Sequence, residues 1–422
     1  MATTRTKQHL ETVEKNITTA VNEGIIHLNA EEEISNGRTV TVQGQELLNF
    51  GLCSYLGLEF DQRIKEGVID AVTRYGSQFS TSRAYLSVRL YQELETELEM
   101  MFRRPVVVAA STTHGHLSAI PVLVGENDVV ILDHQVHASV QMAVQLVKQK
   151  GTKVEMIRHS NMEMLEERIK KLEKKYDKIW YLADGIYSMF GDYAPMDDLT
   201  HLLVKYESFH LYIDDAHGGS CMGPKGTGYV NRELPYHPRL YLAISFAKSF
   251  AAGGGVIVFP NHEEKDRVRK CGNTLIFSGP VQPPMLGAAL ASIKLHQTRD
   301  LPILQDNLAR RVAYFNHYAK ERDIPLFSES TTPICFINVG MPEVGFNMVK
   351  RLKAMGFFTN LAVYPSVPYK NTGIRLTITN HLQMEDIKGV LDAIEMELPK
   401  ALAEENSSME DVYHAFKVTQ VH

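Results

Sequence analysis

The sequence predicts an α/β protein in which a mostly parallel, seven-stranded sheet is covered by helices on both faces. The first observation is a series of short, continuous apolar runs that alternate with longer helical stretches from about residue 62 onward. Continuous apolar strands are typical of parallel sheets that are buried on both faces. The second observation is the length, because 422 residues are too many for one simple core and suit two lobes.

Seven apolar runs supply the predicted strands of this sheet. They are Pro105–Ala110, Asp128–Asp133, Lys153–Ile157, Lys178–Asp184, Phe209–Asp214, Leu240–Ser245 and Gly255–Phe259. Several are followed by sequence typical of helices, for example Met162–Lys174. Such sheets bind their ligands at the carboxyl ends of the strands. The polar residues that we expect at this edge are Ser111, His137, Asp184, Asp214 and Lys248.

The segments on either side of the sheet predict two further parts. The N-terminal part contains an amphipathic helix and a strand, at about Gln8–Leu28 and Thr39–Gln43. The C-terminal part indicates a smaller α+β lobe with a long helical region, two strands and a helix, at about Pro284–Lys320, Cys335–Val339, Arg375–Thr379 and Met384–Leu398. We therefore predict an N-terminal arm at 1–60, a large domain at 61–300 and a small C-terminal domain at 301–422.

The composition argues against several classes of protein. The net charge of −6 is spread along the chain, so a nucleic-acid-binding surface is not indicated. We expect neither a transmembrane segment nor a signal peptide, because no uncharged stretch is long enough and the first thirty residues are polar. The four cysteines lack metal-site spacing, which predicts reduced thiols and no metal. The expected location is the cytoplasm, with peripheral membrane association left open.

The most informative pattern joins Asp214, His217 and Lys248. Asp214 ends an apolar strand, His217 follows three positions later, and Lys248 follows 34 positions (248 − 214) after Asp214. Pyridoxal phosphate (PLP) needs a lysine amine for its Schiff base and a carboxylate that keeps its pyridine nitrogen protonated. The pattern therefore predicts a PLP enzyme.

Four segments in the right order resemble the α-oxoamine synthases. They are Asp133–Ser139, Asp184–Pro195, Asp214–Gly218 and Ser245–Lys248, and the resemblance runs from about Leu48 to Leu398. This family of fold-type-I PLP enzymes contains serine palmitoyltransferase, aminolevulinate synthase, 2-amino-3-ketobutyrate ligase and 8-amino-7-oxononanoate synthase. The resemblance implies condensation of a small amino acid with an acyl thioester to give an α-oxoamine, for example a precursor of a sphingoid-type lipid.

The resemblance also implies roles for individual residues around PLP. Lys248 would bind the cofactor and move the α-proton of the substrate, and Asp214 would face the pyridine nitrogen. His217 would reach the phenolic oxygen or the substrate carbonyl, and His137 would stack on the ring. The residues implied for the phenolic oxygen and the phosphate are Ser188, Ser111, Thr112, Thr113 and Ser245. The alternative for the serines and threonines is helix capping without a ligand.

Two further residues carry implications from the resemblance. Ser278, in Ile276–Ser278, resembles a residue that donates a hydroxyl to the phosphate across a dimer interface, which implies a homodimer with shared active sites. Arg375 resembles the arginine that binds the substrate carboxylate, a task that suits the planar guanidinium.

The chain departs from the family pattern where substrate is expected to bind. Cys53 and Ser54 replace an Asn-containing pair, and Thr113–His116 stands where an apolar or aromatic residue followed by an Ala-Asn pair is usual. We expect His114, His116 and Arg83, together with Ser54, to form a polar, cation-capable pocket. Such a pocket predicts an amino acid with a hydroxyl or acidic side chain, such as serine or cysteate. The alternative is that one or both histidines face solvent.

Two other functions stay open at this point. Fold does not fix the type of reaction, so an aminotransferase or lyase on the same fold is one alternative. The other is a non-catalytic partner subunit of a synthase, which the presence of Lys248 disfavours. No local sequence distinguishes acyl-CoA from acyl carrier protein as the thioester, gives the acyl length, or decides whether the condensation is decarboxylative.

Overall fold

A computed structural model describes residues 2–417, which form two compact units. One unit consists of residues 56–188 and 193–306, and the other consists of residues up to 55, 189–192 and from 307 onward. The sequence predicts a separate N-terminal arm for residues 1–60. In the structure the N-terminal segment belongs to the same unit as the C-terminal segment, because their strands pair with each other.

The described residues contain 13 strands and 15 α-helices. The strands are β1 (Thr39–Val42), β2 (Gln45–Asn49), β3 (Val106–Ala109), β4 (Val129–Asp133), β5 (Lys153–Ile157), β6 (Ile179–Asp184), β7 (Phe209–Asp214), β8 (Leu240–Ser245), β9 (Gly255–Val258), β10 (Ile334–Gly340), β11 (Phe357–Phe358), β12 (Asn360–Ala362) and β13 (Thr372–Thr377). The helices are α1 (Ala2–Asn22), α2 (Gln62–Tyr75), α3 (Arg89–Phe102), α4 (Thr112–Leu123), α5 (Ala138–Gln149), α6 (Met162–Leu172), α7 (Met196–Lys205), α8 (Tyr229–Glu233), α9 (His262–Cys271), α10 (Asn273–Phe277), α11 (Pro283–His296), α12 (Asp300–Glu321), α13 (Pro342–Ala354), α14 (Met384–Glu404) and α15 (Met409–Phe416).

The first unit is built on a seven-stranded sheet in the order β3-β9-β8-β7-β6-β4-β5. Strands β5, β4, β6, β7 and β8 pair in parallel, and β9 is antiparallel to both β8 and β3. The mostly parallel, seven-stranded sheet predicted from the sequence is therefore confirmed. Because β3 runs in the same direction as β8, the carboxyl ends of six strands meet at one edge.

Apolar side chains on the sheet and on α4 and α5 form the core behind this edge. The cluster includes Trp180, Tyr212 and Tyr241 on neighbouring strands and Val140 and Val144 on α5. All are almost fully buried, and burying one aliphatic side chain of this size contributes about 1.5–3 kcal/mol. This packing holds the starts of α4 and α5 at the carboxyl edge of the sheet.

The second unit contains two small sheets. One is antiparallel, in the order β10-β13-β12, and the other has the order β1-β2-β11. The β1–β2 hairpin turns at Gln43 and Gly44, whose φ angles of 53° and 75° suit a two-residue turn. Strand β11 then pairs in parallel with β2.

Several predicted boundaries differ from the structure for local reasons. Helix α1 ends at Asn22 rather than near Leu28, because Gly24 adopts a φ of 64° and Ile25 N–H bonds to the Ala20 carbonyl. The helical region after the sheet divides into α11 and α12. Among the described residues, no helix is both long and apolar enough to cross a membrane.

Candidate active site

Asp214 is the last residue of β7 and lies buried at the carboxyl edge of the sheet. Its Oδ1 accepts the backbone N–H of Ala216 at 3.1 Å, and its Oδ2 lies 2.9 Å from His116 Nε2. Burial alone would raise the pKa of this carboxyl, but His116, Lys248 and His137 outweigh it and lower the pKa to about 2. Asp214 is therefore a buried carboxylate that stays ionised at neutral pH.

Asp184 ends β6 directly beside Asp214 in the strand register. Its Oδ1 accepts the backbone N–H of His137 at 3.0 Å. Burial and the neighbouring Asp214 charge raise the pKa of Asp184 well above its ordinary value. Two adjacent buried carboxyls do not both ionise readily, so a charge on Asp214 disfavours ionisation of Asp184.

Lys248 lies in the loop between β8 and β9 and is half-buried. Ser245 Oγ accepts the Ala247 N–H at 3.2 Å, and the Ser220 hydroxyl lies 3.1 Å from the Ser249 carbonyl, so the loop is tied on both sides of the lysine. The Lys248 ammonium lowers the pKa of Asp214. The structure thus brings the predicted amine and the predicted carboxylate into electrostatic contact.

The start of α4 lies at the same edge of the sheet, immediately after β3. Ser111 is the N-cap, and its Oγ accepts the His114 N–H at 3.2 Å. A Cβ added to Gly255 would lie 2.8 Å from the Thr112 backbone nitrogen, so a side chain there would cover this amide. Helix N-termini bind phosphate through such open amides, and the hydroxyls of Thr112 and Thr113 lie in the same first turn.

His137 presents an exposed ring at this edge and caps α5. Its Nδ1 lies 2.6 Å from Ser139 Oγ, which fixes the ring orientation. Desolvation by the neighbouring protein lowers the pKa of His137, and the Lys248 charge adds to this effect while Asp214 opposes it. A ring with an open face suits stacking on a planar cofactor.

The remaining predicted cofactor residues lie on loops of the same unit. His217 is buried in the turn after β7, where its carbonyl accepts the Cys221 thiol at 3.0 Å. Ser188 is half-buried in the segment after β6. Ser278 follows α10, and its hydroxyl lies 3.4 Å from the Gly279 carbonyl beside the exposed Phe277. Their contacts with a cofactor stay predictions.

The structure corrects the predicted positions of His116 and Arg83. His116 has no exposed surface, and its two ring nitrogens bond to Tyr212 and Asp214, so it supports the carboxylate instead of lining a substrate pocket. The Arg83 guanidinium is also buried, 2.6 Å from the Val108 carbonyl and 3.0 Å from Glu95. Both side chains therefore form their hydrogen bonds within the protein.

His114 on α4 and Tyr212 on β7 lie close to the residues described above. His114 is half-buried, with Nδ1 2.8 Å from Ser111 Oγ, so it belongs to the start of α4, and its contact with a substrate stays a prediction. Sequence reasoning missed Tyr212. Its signal was available, because residues two apart on a strand share a face and Tyr212 precedes Asp214 by two.

Arg375 lies on β13 of the second unit, between β10 and β12. The side chain is buried, and its Nη2 lies 3.7 Å from Cys53 Sγ. Burial opposes the charge, but Tyr55 and Cys53 hold the pKa of Arg375 above its ordinary value. Ser54, beside them, has a buried hydroxyl with no hydrogen-bond partner among the described residues.

The residues at the edge of the seven-stranded sheet fit PLP. An ionised carboxylate suits a protonated pyridine nitrogen, a half-buried amine suits a covalent link to the aldehyde, and the start of α4 suits the phosphate. The open Thr112 amide supports the last assignment independently of any motif.

Comparisons with known proteins point to the same chemistry. The family model for aminotransferase class I and II matches residues 45–394. A serine palmitoyltransferase from Bacteriovorax stolpii is 30% identical over 368 residues, covering 85% of this chain and 84% of that protein. An 8-amino-7-oxononanoate synthase from Symbiobacterium thermophilum is 29% identical over 355 residues, covering 83% and 88%.

A solved structure supports the fold. It is a serine palmitoyltransferase variant from S. paucimobilis with a bound PLP–myriocin aldimine, with a TM-score of 0.85 and 21% identity over 94% of this chain and 99% of that one. The family match spans most of the chain, and the edge residues fit the cofactor that the resemblance implied. The chain therefore belongs to the aminotransferase class I and II family and, within it, to the α-oxoamine synthases, which are PLP-dependent acyltransferases.

Proposed function

We propose that this chain condenses a small amino acid with an acyl thioester, releasing CO₂ and a thiol and giving an α-oxoamine. The similarity to serine palmitoyltransferase and 8-amino-7-oxononanoate synthase supports this reaction class. The observation that carries the proposal is the cluster of Lys248, Asp214 and Asp184, in which a buried negative charge lies on Asp214 beside an amine.

Each residue of the cluster has a task in this reaction. Bound PLP supplies an electron sink for the negative charge that develops at the substrate Cα. Asp214 keeps the ring nitrogen protonated, because an adjacent opposite charge favours the charged form. Lys248 Nζ takes the α-proton, and His137 covers one face of the ring. His217 would hold the phenolic oxygen or the substrate carbonyl, and Ser188 would hold the phenolic oxygen.

The second half of the reaction joins the two substrates. A bond forms between Cα and the acyl carbon, and the C–S bond breaks as the thiolate leaves and takes up a proton from water. The bond from Cα to the carboxylate then breaks to release CO₂, and Cα takes back a proton from Lys248 Nζ. Arg375 binds the amino-acid carboxylate through its planar guanidinium. Holding both reactants in one orientation removes a large entropic part of the barrier.

The amino acid is proposed to carry a small hydroxyl or acidic side chain, with serine the first to test and cysteate the second. His116 and Arg83 no longer support this choice, because both bond within the protein. The remaining support is His114 at the start of α4, the buried unpaired hydroxyl of Ser54, and the similarity to a serine palmitoyltransferase.

An absorbance titration tests the proposal. Purified protein with PLP is titrated with serine, cysteate, aspartate, glycine and alanine, and then with a long-chain acyl-CoA or acyl carrier protein, while free thiol is measured. We expect the cofactor absorbance to change with serine or cysteate, and thiol and CO₂ to appear only when both substrates are present. The Lys248→Ala variant is the control and should release no thiol.

Other outcomes identify the alternative functions. If amino acids change the absorbance while the thioester stays intact, the enzyme is an aminotransferase or lyase on this fold. If the pure protein binds no PLP, it is a non-catalytic partner subunit. If glycine or alanine reacts far better than serine, cysteate or aspartate, the proposed side-chain preference is wrong while the reaction class stands.

We also propose that the chain forms a homodimer with shared active sites. Tyr85 and Phe277 are 89% and 84% exposed, and Leu86 beside them is also exposed. The Ser82 hydroxyl donates to the Ile276 carbonyl at 2.6 Å, so the two segments that carry these side chains are joined. Exposed apolar side chains grouped in this way are typical of protein interfaces, and Ser278 follows directly after Phe277.

A further inference from the structure

His116 lies beneath Asp214 in a fully buried chain of hydrogen bonds. Its Nε2 is 2.9 Å from Asp214 Oδ2, and its Nδ1 is 2.8 Å from the Tyr212 hydroxyl. Tyr212 and Asp214 are two residues apart on β7, so both side chains lie on the face of the strand that contacts His116. A Cβ on Gly115 would lie 2.8 Å from Ile257, which shows that α4 rests directly on the sheet here.

The chemistry of Asp214, His116 and Tyr212 indicates which groups donate in these hydrogen bonds. Asp214 is ionised and only accepts, so His116 Nε2 carries a hydrogen and donates to it. Burial and the Asp214 charge raise the pKa of Tyr212 well above its ordinary value, so the phenol keeps its proton. The Tyr212 hydroxyl, which can donate or accept, is the partner of His116 Nδ1 at 2.8 Å and donates to it where that nitrogen carries no hydrogen.

We propose that His116 and Tyr212 are positioning residues that hold the Asp214 carboxylate toward the PLP ring nitrogen. This inference rests on the proposed role of Asp214. Oδ1 is held by the Ala216 N–H and Oδ2 by His116, so rotating the carboxylate would break both bonds. The free lone pairs are thus kept at fixed positions for a ring N–H, which is how a second layer of hydrogen bonds orients a functional group.

The other charged groups near Asp214 do not provide the hydrogen bonds that fix its carboxylate. Lys248, His137 and Asp184 each act on the Asp214 charge, but the hydrogen bonds that fix its two oxygens come from Ala216 and His116. Charge from a flexible lysine favours ionisation without setting the direction of the lone pairs.

The first test uses the protein without PLP. Long-range ¹⁵N–¹H correlation spectra of ¹⁵N-histidine-labelled protein report the tautomer of each ring, and the His116→Gln variant assigns the signal. We expect His116 in the Nε2–H form, and we expect Tyr212→Phe to shift its Nδ1 signal. A His116 ring protonated on Nδ1 alone would overturn the inference.

The second test follows the cofactor itself. The PLP dissociation constant and the ¹⁵N shift of ring-labelled PLP are measured for His116→Gln, for Tyr212→Phe and for the control His210→Gln. His210 is another buried histidine of β7, and it bonds to the Ser208 carbonyl instead. Losing a hydrogen bond to a charged group predicts about 10- to 100-fold weaker PLP binding for His116→Gln and a few-fold weaker binding for Tyr212→Phe, with little change in the control.

The Asp214→Asn variant separates the two levels of the argument. If Asp214→Asn changes the ring-nitrogen signal while His116→Gln and Tyr212→Phe leave signal and affinity at wild-type values, the positioning role is wrong and the role of Asp214 stands. If Asp214→Asn itself changes neither, the proposed role of Asp214 fails first. Should His116→Gln fold poorly, Tyr212→Phe still tests the hydrogen-bond chain, because it removes one hydroxyl and keeps the aromatic ring.

Discussion

At the scale of single residues, two consecutive buried carboxyls in this chain ionise in opposite ways. Burial disfavours the charge on both Asp214 and Asp215. Asp214 is compensated by His116, so its pKa falls to about 2, whereas Asp215 has mainly backbone amides around it and its pKa rises to about 8. Asp215 Oδ1 is buried without a hydrogen-bond partner among the described residues, and Val230 N–H donates to Oδ2 at 2.9 Å.

We expect the Asp215→Asn variant to change how stability depends on pH. The folded-state pKa of about 8 lies above the ordinary 3.8, so the stability linked to this group is fully present below pH 3.8 and is lost as pH rises through 8. Asparagine stays neutral and does not lose this stability. The free energy of unfolding of the variant should therefore increase relative to that of wild type as the pH rises from 4 to 8. Urea unfolding across this range measures the difference.

The control for this prediction is Asp61, whose pKa is shifted in the opposite direction from that of Asp215. A side-chain hydrogen bond from Arg63 lowers the pKa of Asp61, so its contribution is present above the ordinary pKa and is lost as pH falls. Asp61→Asn should therefore lose stability relative to wild type above pH 4, with little further change up to pH 8. A difference between Asp215→Asn and wild type that stays constant from pH 4 to 8 would contradict the prediction.

We expect Arg375→Lys to weaken binding of the amino acid more than it slows the reaction. A lysine keeps the charge but loses the planar fork that pairs with both carboxylate oxygens. The KM for the amino acid should rise about tenfold or more, with a smaller change in kcat. Steady-state kinetics with saturating acyl thioester measure both, and Arg311→Lys is the control because Arg311 bonds to the carbonyls of Leu382 and Asn307. A KM at the wild-type value would exclude the carboxylate-binding role.

At the scale of secondary-structure elements, the packing of α4 on the sheet explains why the predicted position of His116 is wrong. His114 and His116 are two positions apart, about 200° around a helix, so they cannot face one pocket together. The side that packs on β7 is set by tertiary contacts, which residue types alone do not specify. Most of the seven strands were predictable because their residues are almost all apolar, whereas the edge strand β5 also carries Lys153 and Glu155. Strands β11 and β12 were not, since they have two and three residues and β11 pairs with a partner about 300 positions away.

The crossing of α2 and α11 makes a prediction about packing. A Cβ on Gly287 would lie 2.1 Å from the Gly67 carbonyl oxygen, which is backbone and cannot move aside cheaply. Gly287→Ala should therefore destabilise the protein by about 1–3 kcal/mol, as overpacking does. The matched control is Gly389→Ala on α14, where the new Cβ meets Phe357 at an ordinary 3.4 Å and helix propensity favours alanine. Urea midpoints should fall for the first variant and hold or rise for the second, and equal midpoints would contradict the packing argument.

At the scale of the whole molecule, the exposed side chains of Tyr85, Leu86 and Phe277 predict self-association. Phe277→Asp places a charge among apolar neighbours, so burying it in an interface becomes costly. We expect this variant to shift from dimer to monomer in sedimentation velocity at micromolar protein. Met142→Asp, at another exposed apolar side chain, is the control and should stay dimeric. A wild-type chain that sediments as a monomer at every concentration would contradict the dimer.

Hybrid dimers test whether the two subunits share their active sites. Lys248→Ala chains and Ser278→Ala chains, each with a different affinity tag, are refolded together and the mixed dimer is purified. If Ser278 serves the partner's site, the lysine of the Ser278→Ala chain meets an intact Ser278 from the other chain, and one wild-type site forms per dimer. We expect that site to bind PLP with wild-type affinity, while the Ser278→Ala homodimer binds a few-fold more weakly because a hydrogen bond to a charged phosphate is lost. If Ser278 serves its own chain's site, the hybrid will bind PLP as weakly as the Ser278→Ala homodimer, because its lysine-bearing site then lacks the hydroxyl.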